Sequence, residues 1–474
     1  GGLFRRTCAY ACLLLLSGCA SLDFDQPREP SYALLDTSDT PLAQKIQPQV
    51  ERHGGMSGFR LVSDGIEALA ARILLMGSAS RSIDAQYYFV LDDLSGNLFI
   101  RELLSAADRG VRVRLLLDDI ATQGYDRGML ALDAHPNFAI RVFNPFSQRV
   151  GRYLNVFDYA RVNRRMHNKS LSVDGQVAIV GGRNIGDEYF AARQDMNFAD
   201  LDVIGYGPIA RETSAVFDQY WNDRHTLPVT ALIDPLENPQ QELANLRERI
   251  DAAVLEVDQS PYADALVDTS LEMLDLGPQA ISWVPHRLVA DPPDKAWDKE
   301  NTSNRLVSQL RDTVANADKE FILVSPYFVP RKAGVEGFRR LRERGVEVYV
   351  LTNSLASTDV KAVHSGYVSA RNPLLEMGVN LYEVRADATV KGTQRSRIFG
   401  SQSSLHTKAF LVDERWVFVG SFNFDPRSAY INTEMGILLE APELAQELSR
   451  KFAQFAEQGK NAYQLKLDDN HRVY

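Results

Sequence analysis

One sequence pattern occurs twice in the chain and constrains its fold more than any other feature. The pattern is H-x-K-x4-D-x6-G-[GS]-x-N. Its copies consist of His167, Lys169, Asp174 and Asn184 in the first half of the chain, and of His406, Lys408, Asp413 and Asn423 in the second. A further segment, Arg109-Gly110-Val111, recurs as Arg344-Gly345-Val346 at nearly the same separation. Because several landmarks recur in register, we infer an internal duplication and two similarly folded halves.

Helical and strand patterns alternate from Gly58 onward, which is typical of an α/β fold. In each half, the Arg-Gly-Val segment follows a helical pattern and precedes an apolar run. We therefore predict that its glycine caps the helix and that the run is a buried strand.

The length of the chain also favours two domains, since 474 residues exceed what one core normally holds. We place the boundary near Val284, which gives an N-terminal domain of residues 58–283 and a C-terminal domain of residues 284–474. Residues 19–57 are rich in proline, aspartate and serine up to Gly54, and we expect them to form a tether. The formal net charge of −10 disfavours general nucleic-acid binding, which usually requires a basic face.

All three cysteines lie at the N-terminus, at positions 8, 12 and 19. Arg5 and Arg6 precede a short apolar run that is typical of a signal peptide, predicted here as residues 1–18. The run ends in Leu-Ser-Gly-Cys, which resembles a bacterial lipobox. That resemblance implies lipidation of Cys19 and a lipid-anchored protein of the bacterial cell envelope. No aspartate follows Cys19, so the expected address is the periplasmic face of the outer membrane.

Elementary geometry explains the residue types of the repeated pattern. Side chains two residues apart on a strand share a face, so each histidine points to the same side as its lysine. The Gly-small pair lets the backbone approach a ligand closely, and Asn184 and Asn423 then offer amide donors. Two copies brought together would surround one phosphate with two lysines, two asparagines and two imidazoles. Alternation puts Asp174 and Asp413 off this face, so we expect them to be structural.

The complete, duplicated pattern resembles the phospholipase D superfamily. Its flanking residues, Gly181 to Phe190 and Gly420 to Ser428, are similar to those of the bacterial cardiolipin synthase C group. The resemblance implies two α/β domains related by a pseudo-two-fold axis, each a mainly parallel mixed sheet flanked by helices. It also implies transfer of a phosphatidyl group between phospholipids through a phosphohistidine. By analogy with the superfamily, His167 is expected to be the nucleophile and His406 the general acid.

Each imidazole needs an orienting partner on its second nitrogen. The duplication selects two acids, since Asp200 and Glu434 each lie eight residues before a proline. The resemblance favours the same pair, and Asp202 remains an alternative to Asp200.

The expected substrates are phospholipids: phosphatidylglycerol, with phosphatidylethanolamine as a second candidate. We expect no cofactor and no metal, since the pattern lacks metal-ligand spacing, and no nucleic-acid partner. The site requires no oligomer. The acceptor is left open between a lipid alcohol and water, so hydrolysis by a phospholipase D is one alternative and a periplasmic nuclease another.

Basic residues precede both copies of the pattern. They are Arg149, Arg152, Arg161, Arg164 and Arg165, interleaved with Phe146, Tyr153, Phe157 and Tyr159, and then Lys391, Arg395 and Arg397. They could form a positive mouth for an anionic phospholipid or a solvated helix and loop, and the sequence favours neither.

Overall fold

The computed structural model describes residues 22–149, 151–152, 155, 158–193, 196–274, 280–386, 402–457 and 461–474. The expected signal peptide and Cys19 therefore lie outside the described residues. So do Tyr153, Phe157, Lys391, Arg395 and Arg397 of the basic segments.

Strands and helices alternate through both halves. The first half contains the strands β1 (Gly58–Val62), β2 (Ser82–Tyr87), β3 (Arg112–Asp118), β4 (Phe138–Phe143), β5 (Ser170–Val173), β6 (Val177–Gly181), β7 (Met196–Ala199), β8 (Asp202–Tyr206), β9 (Thr226–Pro228) and β10 (Ser282–Trp283). Its helices are α1 (Pro41–Arg52), α2 (Gly65–Gly77), α3 (Leu94–Asp108), α4 (Asp126–Asp133), α5 (Tyr159–Val162), α6 (Pro208–Trp221), α7 (Pro239–Leu255) and α8 (Pro261–Leu274).

The second half repeats this order of elements. Its strands are β11 (His286–Ala290), β12 (Glu320–Val324), β13 (Glu347–Asn353), β14 (Asn380–Val384), β15 (Gln402–Leu405), β16 (Ala409–Val412), β17 (Trp416–Gly420), β18 (Met435–Glu440) and β19 (Ala462–Gln464). Its helices are α9 (Leu306–Ala315), α10 (Arg331–Glu343), α11 (Lys361–Val368), α12 (Arg371–Glu376), α13 (Pro426–Tyr430) and α14 (Pro442–Glu457).

The two large sheets have the same strand order, which confirms the duplicated α/β fold. The first sheet runs β10-β1-β8-β6-β5-β2-β3-β4-β9, and the second runs β11-β18-β17-β16-β12-β13-β14-β19. Apart from β10, every position in one order has its counterpart in the other. The pairs β2–β3–β4 and β12–β13–β14 are parallel, and the remaining pairs are antiparallel. The sheets are mixed, as predicted, but less parallel than expected, because tight turns link β5 to β6 and β16 to β17.

The glycines of the repeated Arg-Gly-Val segments behave as predicted. Gly110 has φ +91° and Gly345 has φ +83°. Each follows a helix, α3 or α10, and precedes a strand, β3 or β13. The left-handed conformation at these two positions ends the helix and turns the chain into the sheet.

The two sheets meet through one shared apolar cluster. Phe59, Val180 and Val203 of the first half pack in this cluster with Leu411 and Ile437 of the second. Strand β10 belongs to the first sheet and β11 to the second, so we propose the domain boundary in the short link between them, near Val284.

The segment expected to form a tether is partly folded onto the first half. Helix α1 buries Ala43, Ile46 and Val50, which lie on one face at helical spacing. Upstream of it, the backbone N–H of Ala33 donates to Asp218 of helix α6, and that of Ser31 donates to Asn222, the residue that caps this helix. The apolar face of α1 explains the difference, since a solvated tether would leave it in water. Among the described residues, no helix is long and apolar enough to cross a membrane.

Candidate active site

Two short contacts between the halves position the histidines. Met166 pairs with Thr433 across the interface, and β15 pairs with β7 so that Leu405 lies beside Ala199. The backbone N–H of His167 donates to the Thr433 carbonyl at 2.9 Å, and that of His406 donates to the Ala199 carbonyl at 2.8 Å. Each His-x-Lys segment therefore lies just ahead of its own strand, β5 or β16, in a link that contacts the opposite half.

Each imidazole bonds an acid of the opposite half. Nδ1 of His167 donates to Oε2 of Glu434 at 2.9 Å, and Nδ1 of His406 donates to Oδ2 of Asp200 at 2.5 Å. This exchange follows from the contacts above, because Glu434 comes directly after Thr433 and Asp200 directly after Ala199. In His167 the bonded Nδ1 leaves Nε2 free to carry chemistry, whereas in His406 the ammonium of Lys408 lies 3.2 Å from Nε2.

Asp202, the alternative to Asp200, lies elsewhere. Its carboxylate bonds Arg72 at 2.9 Å and Arg183 at 3.2 Å, and all three side chains are buried. It holds helix α2 and the glycine turn after β6 in place. The structure therefore sets Asp200, and not Asp202, against an imidazole.

Both lysines of the pattern are buried beside their histidines. Nζ of Lys169 donates to the His167 carbonyl at 2.5 Å, and Nζ of Lys408 donates to the His406 carbonyl at 2.5 Å. The Lys408 ammonium also lies 3.2 Å from Nε2 of His406. Both lysine side chains are almost fully excluded from water.

The imidazoles have lowered pKa values. Burial and the neighbouring Lys408 lower the pKa of His406 to about 4, against the opposing effect of Asp200. Burial also lowers the pKa of His167, with Glu434 opposing and Lys169 adding to the effect. Both rings are therefore neutral at pH 7 in the free site, and each has an unprotonated Nε2.

The two acids are ionised despite their burial. Burial alone would raise the pKa of Asp200, but Lys408 and His406 outweigh it and lower that pKa to about 2. The pKa of Glu434 is lowered in the same way by His167 and Lys169. Two carboxylates thus face two buried ammonium groups in one site.

The lysines show that both halves contribute to one electrostatic site. Burial lowers the pKa of Lys408 to about 8, with Asp200 and Glu434 of the two different halves opposing this. Burial lowers the pKa of Lys169 well below its ordinary value, and the charge of Lys408 lowers it further. Two buried ammonium groups in one site favour the binding of an anion between them.

The two asparagines of the pattern are also buried, and each has an unsatisfied atom. Oδ1 of Asn184 and Oδ1 of Asn423 have no hydrogen-bond partner among the described residues, while Nδ2 of Asn184 donates to the Tyr189 hydroxyl at 3.1 Å. A buried polar atom without a partner costs free energy, about 1–3 kcal/mol. Such unsatisfied buried atoms are typical of a site that binds a ligand or an ordered water molecule.

Three aromatic rings around the imidazoles were not predicted. The Tyr88 ring meets His167 edge to face at 5.0 Å and lies 5.3 Å from Nζ of Lys169. Tyr189 meets His406 edge to face at 5.1 Å, and Phe198 stacks on the same ring at 4.8 Å. The first could have been found from the repeated Tyr-Phe dipeptide that follows β2 and recurs after β12.

A pair of strand-end residues that fixes the two motifs was also missed. Asp118, at the end of β3, accepts hydrogen bonds from the Met166 backbone at 2.8 Å and from Arg165 at 3.1 Å. Asn353, at the equivalent end of β13, accepts from the backbone N–H of Leu405 and donates to its carbonyl. Both anchors hold the residue that precedes a histidine. Their signal in the sequence was a polar residue at the same end of two duplicated apolar strands.

A buried network supports Glu434. Ser421 donates to Oε2 at 2.5 Å and Ser428 to Oε1 at 2.8 Å. The backbone N–H of Glu434 donates to Asp291 at 2.9 Å, and Asp291 is paired with Lys295 at 2.7 Å. In the first half, Gly182 replaces the serine, and a side chain there would collide with Asp200, 2.3 Å from Oδ1.

Asp174 and Asp413 close equivalent turns away from the imidazoles. Both have positive φ, +52° and +55°. Asp174 accepts backbone N–H groups of residues 80–82, and Asp413 accepts those of residues 318–320. Each carboxylate thus ties the turn after a motif strand to the start of the neighbouring antiparallel strand, β2 or β12.

The basic residues before the first motif are mostly engaged inside the fold. Arg149 bonds Asp119 and Asp126, and Arg152 bonds Asp119. Arg165 is buried against Asp118. These contacts agree with neither alternative given above, because the charges of Arg149, Arg152 and Arg165 are paired inside the fold and are largely shielded from solvent. Within the described residues, no cluster of histidine, cysteine, aspartate or glutamate could hold a metal ion.

Comparisons with known proteins agree with this architecture. The chain matches the family model described as "Cardiolipin synthase, PLD-like domain" twice, over residues 73–221 and 310–456. It is 41% identical to cardiolipin synthase C of Escherichia coli, with 91% of each chain covered. It is 23% identical to a cardiolipin synthase of Staphylococcus aureus, over 83% of this chain and 66% of that protein.

A solved structure shares the fold. The phosphatidylserine synthase of Haemophilus influenzae superposes with a TM-score of 0.59 at 14% identity, covering 89% of this chain and 92% of that one. Two copies of one domain, one shared site and a near full-length relative at 41% identity point the same way. The chain belongs to the phospholipase D superfamily, in the cardiolipin synthase group of phospholipase D-like domains, and is an enzyme of the phospholipase D type.

Proposed function

We propose that the protein transfers a phosphatidyl group from one phospholipid to another through a phosphohistidine formed at the site shared by its halves. One observation carries the proposal: each imidazole bonds an acid of the opposite half and has the lysine of its own motif beside it. The cardiolipin synthases among its relatives support phosphatidylglycerol as the donor.

In the proposed reaction, Nε2 of His167 attacks phosphorus and forms a P–N bond. The P–O bond to the leaving alcohol breaks, and that oxygen takes a proton from Nε2 of His406. The acceptor hydroxyl then gives its proton to His406 and attacks phosphorus, and the P–N bond breaks. Lys169 and Lys408 neutralise charge on the phosphoryl oxygens throughout, as preorganised donors do in other phosphoryl-transfer sites. The amide N–H groups of Asn184 and Asn423 donate to the same oxygens, which for Asn184 requires Nδ2 to leave the Tyr189 hydroxyl.

Binding of the substrate allows His406 to take up, from solvent, the proton that this scheme requires. A general acid must be protonated, whereas burial keeps both imidazoles neutral in the free site. A bound phosphodiester brings a negative charge beside His406, which raises the pKa of its imidazole. His406 thus takes its proton from solvent when the substrate binds, and the proposal requires His167, paired with Glu434, to stay neutral and nucleophilic.

The proposal is tested with purified protein and radiolabelled phosphatidylglycerol in mixed micelles. Transfer predicts labelled cardiolipin and unlabelled glycerol, at a rate that EDTA leaves unchanged because lysines perform the task of a metal. Phosphatidylethanolamine added as the second lipid tests whether it also serves as a substrate. Release of phosphatidic acid without cardiolipin would identify hydrolysis, and cleavage of DNA with no lipid turnover would identify a nuclease; either result contradicts the proposal.

We also propose that Cys19 carries a lipid anchor in the bacterial envelope, on the periplasmic face of the outer membrane. The supporting pattern is Leu-Ser-Gly-Cys after an apolar run. Cys19→Ala should abolish the mass increase of acylation and shift the protein out of the membrane fraction, with Cys12→Ala as the matched control. An intact mass that differs from wild type only by the Cys→Ala exchange would contradict the anchor.

A further inference from the structure

The loops that follow β3 and β13 expose apolar side chains at equivalent positions of the duplication. Ile120 comes two residues after Asp118, which ends β3. Leu355 comes two residues after Asn353, which ends β13. Ile120 is 40% exposed and Leu355 is 54% exposed. A single exposed apolar residue requires no explanation, whereas an equivalent pair in both copies of a duplicated unit points to a shared task.

Both loops lie at the edge of the sheets that carries the candidate active site. Ser170, the first residue of β5, pairs with Gln86 near the carboxyl end of β2. Ala409, the first residue of β16, pairs with Val324 at the carboxyl end of β12. The His-x-Lys segments, which directly precede β5 and β16, therefore lie at this end of the parallel strands. Because β3 runs parallel to β2 and β13 to β12, the two loops leave the sheets at the same edge.

Hydrogen bonds hold each loop against the histidine segment of its own half. The backbone N–H of Ile120 donates to Oδ1 of Asp118 at 2.8 Å, and Oδ2 of Asp118 accepts the backbone N–H of Met166. In the second half, the Ser404 hydroxyl donates to the Ser357 carbonyl at 2.7 Å, which ties the loop after β13 to strand β15. The exposed side chains therefore stand on backbone that is fixed relative to both imidazoles.

Two exposed tyrosines lie beside the same site. Tyr159 begins α5, the helix just ahead of the first motif, and is 63% exposed. Tyr430 ends α13, the helix just after the second motif, and is 61% exposed. The two helices meet across the halves, because Arg427 of α13 donates to the side chain and to the carbonyl of Asn163, which follows α5. Tyrosine is favoured at membrane–water interfaces, where its ring is in an apolar environment and its hydroxyl is in water.

We propose that Ile120 and Leu355 insert into the surface of a phospholipid layer, with Tyr159 and Tyr430 at the level of its headgroups. The proposal rests on the proposed function, since it states how the shared site reaches lipids that are packed in a membrane. Two apolar side chains that are exposed to water gain the free energy of burial when they enter the acyl chains. Because the loops belong to different halves, the layer is contacted on both sides of the site between them.

The start of the described chain lies next to the same surface. The rings of Phe24 and His225 are 5.0 Å apart, and the Arg161 guanidinium of α5 lies 5.3 Å from the Phe24 ring. A residue close to Cys19 in sequence is therefore placed beside the helix that exposes Tyr159. The anchor proposed at Cys19 would enter the same lipid layer as the two loops.

Leu35 provides a matched control at the opposite edge of the first sheet. It is 73% exposed, more than either loop residue, and its carbonyl accepts a hydrogen bond from Arg211 at 3.2 Å. The neighbouring Leu34 carbonyl lies next to Gly175, in the turn that joins β5 to β6 at the end of β5 remote from the motif. Leu35 is also nearer to Cys19 in sequence than either loop residue, so it separates insertion by the loops from proximity to the anchor.

The first experiment locates the inserted residues by tryptophan fluorescence and needs no turnover. Ile120→Trp, Leu355→Trp and Leu35→Trp are made in the full chain and mixed with vesicles of phosphatidylglycerol and phosphatidylcholine whose acyl chains carry bromine. The emission of the wild-type chain, with its four native tryptophans, is subtracted. We expect blue-shifted, bromine-quenched emission from Ile120→Trp and Leu355→Trp and neither change from Leu35→Trp. Absence of quenching in both loop variants, or equal quenching in the control, would overturn the proposal.

The second experiment compares phosphatidylglycerol in vesicles with dihexanoyl phosphatidylglycerol dissolved as monomers, which requires no contact with a lipid surface. The double variant Ile120→Ser, Leu355→Ser should lower kcat/KM for the vesicle lipid about tenfold and leave that for the monomeric lipid within about twofold of wild type, because only the vesicle lipid requires insertion. Leu35→Ser should change neither value. Equal loss on both lipids, or no loss on either, would overturn the proposal. Quenching in Ile120→Trp and Leu355→Trp without turnover of either lipid would instead contradict the proposed function and leave the lipid contact standing.

Discussion

His167 and His406 are nearly identical in surroundings, yet the proposed reaction requires them to act differently. Each donates from Nδ1 to a buried carboxylate and has a lysine of its own motif beside it. The main difference is in the rings that cover them: His406 is stacked on Phe198, whereas His167 meets only the edge-to-face Tyr88 among the ring contacts of the described residues. Nothing in the site forbids exchange of roles, so the assignment needs a chemical test.

Trapping the phosphoenzyme distinguishes the two histidines. With bis(4-nitrophenyl) phosphate the leaving group needs little protonation, so His406→Ala should still complete the first step and accumulate an adduct on His167. His167→Ala should form no adduct, although both variants lose turnover of phospholipid because the two residues act as a unit. Peptide mass spectrometry locates the adduct. An adduct on His406 in the His167→Ala variant would reverse the roles.

The lowered pKa of Lys408 predicts an alkaline limit for substrate capture. The free site has this pKa at about 8, so above that pH the ammonium loses its proton and its attraction for a phosphodiester. We expect kcat/KM for the nitrophenyl substrate to fall as the pH rises through about 8. A bound phosphate raises the pKa, so kcat should fall only at higher pH. Profiles of both parameters from pH 6 to 10 check this, and a flat kcat/KM up to pH 10 would contradict it.

The chemistry of single residues was the part most accessible from the sequence. The repeated pattern selected His167, Lys169 and their counterparts, and the duplication selected Asp200 and Glu434. It could not say which acid serves which histidine, because a symmetric repeat is equally compatible with pairing inside a half or between halves. The Phe198 ring was not predicted for another reason: it lies in β7, which has no counterpart pattern in the second half.

Strands β3 and β13 show how an element holds the chemistry in place. Each ends in a polar residue, Asp118 or Asn353, that bonds the backbone just before a histidine. The difference between the two anchors is charge, since Asp118 also pairs with the buried Arg165 whereas Asn353 is neutral. The same task is therefore performed by one ionic and one amide anchor.

Removing the two anchors should have unequal effects on stability. Asp118→Ala leaves the Arg165 guanidinium buried without its partner, which costs about 3–5 kcal/mol. Asn353→Ala removes three neutral hydrogen bonds, two with Leu405 and one from Ser357, and should cost about 1–3 kcal/mol. Both variants should lower kcat more than they change KM, because the adjacent histidine loses its position. Urea unfolding and steady-state kinetics measure the two effects, and equal losses of stability would contradict the argument from charge.

Elements were predictable where their pattern was local. The glycine-capped helices α3 and α10 and the strands that follow them were predicted from a few consecutive residues. Strands β7 and β15 were not, because each is short and is completed only by a partner about 200 residues away. Helix α1 was missed although Ala43, Ile46 and Val50 have helical spacing, since the prolines at 41 and 48 and the polar residues around them favoured a tether.

The whole molecule behaves as one catalytic unit because the two halves contact each other in the core, between strands and at the histidines. They share an apolar cluster, two strand pairings and both histidine–acid bonds. Separate halves would leave buried ammonium groups and carboxylates without the partners that keep them charged. The duplication predicted that both halves would contribute to one site. It did not predict that each histidine bonds the acid of the opposite half, which is seen only in the three-dimensional contacts.

We expect one chain to supply the entire active site. His167→Ala and His406→Ala should each be inactive, and we expect cells that produce both variants to yield inactive protein as well. In each chain, the first half is completed by Glu434 and His406 of its own second half, so a variant chain has no intact site to assemble.

Exchange of halves between chains would change this outcome. A swapped mixed dimer would pair an intact first half from one chain with an intact second half from the other. Random pairing would then restore about a quarter of wild-type activity. Turnover of labelled phosphatidylglycerol by the purified mixture decides between the two, with the mass of the particle in solution measured alongside. Recovery near that fraction, from a particle of twice the chain mass, would show that the site is completed in trans.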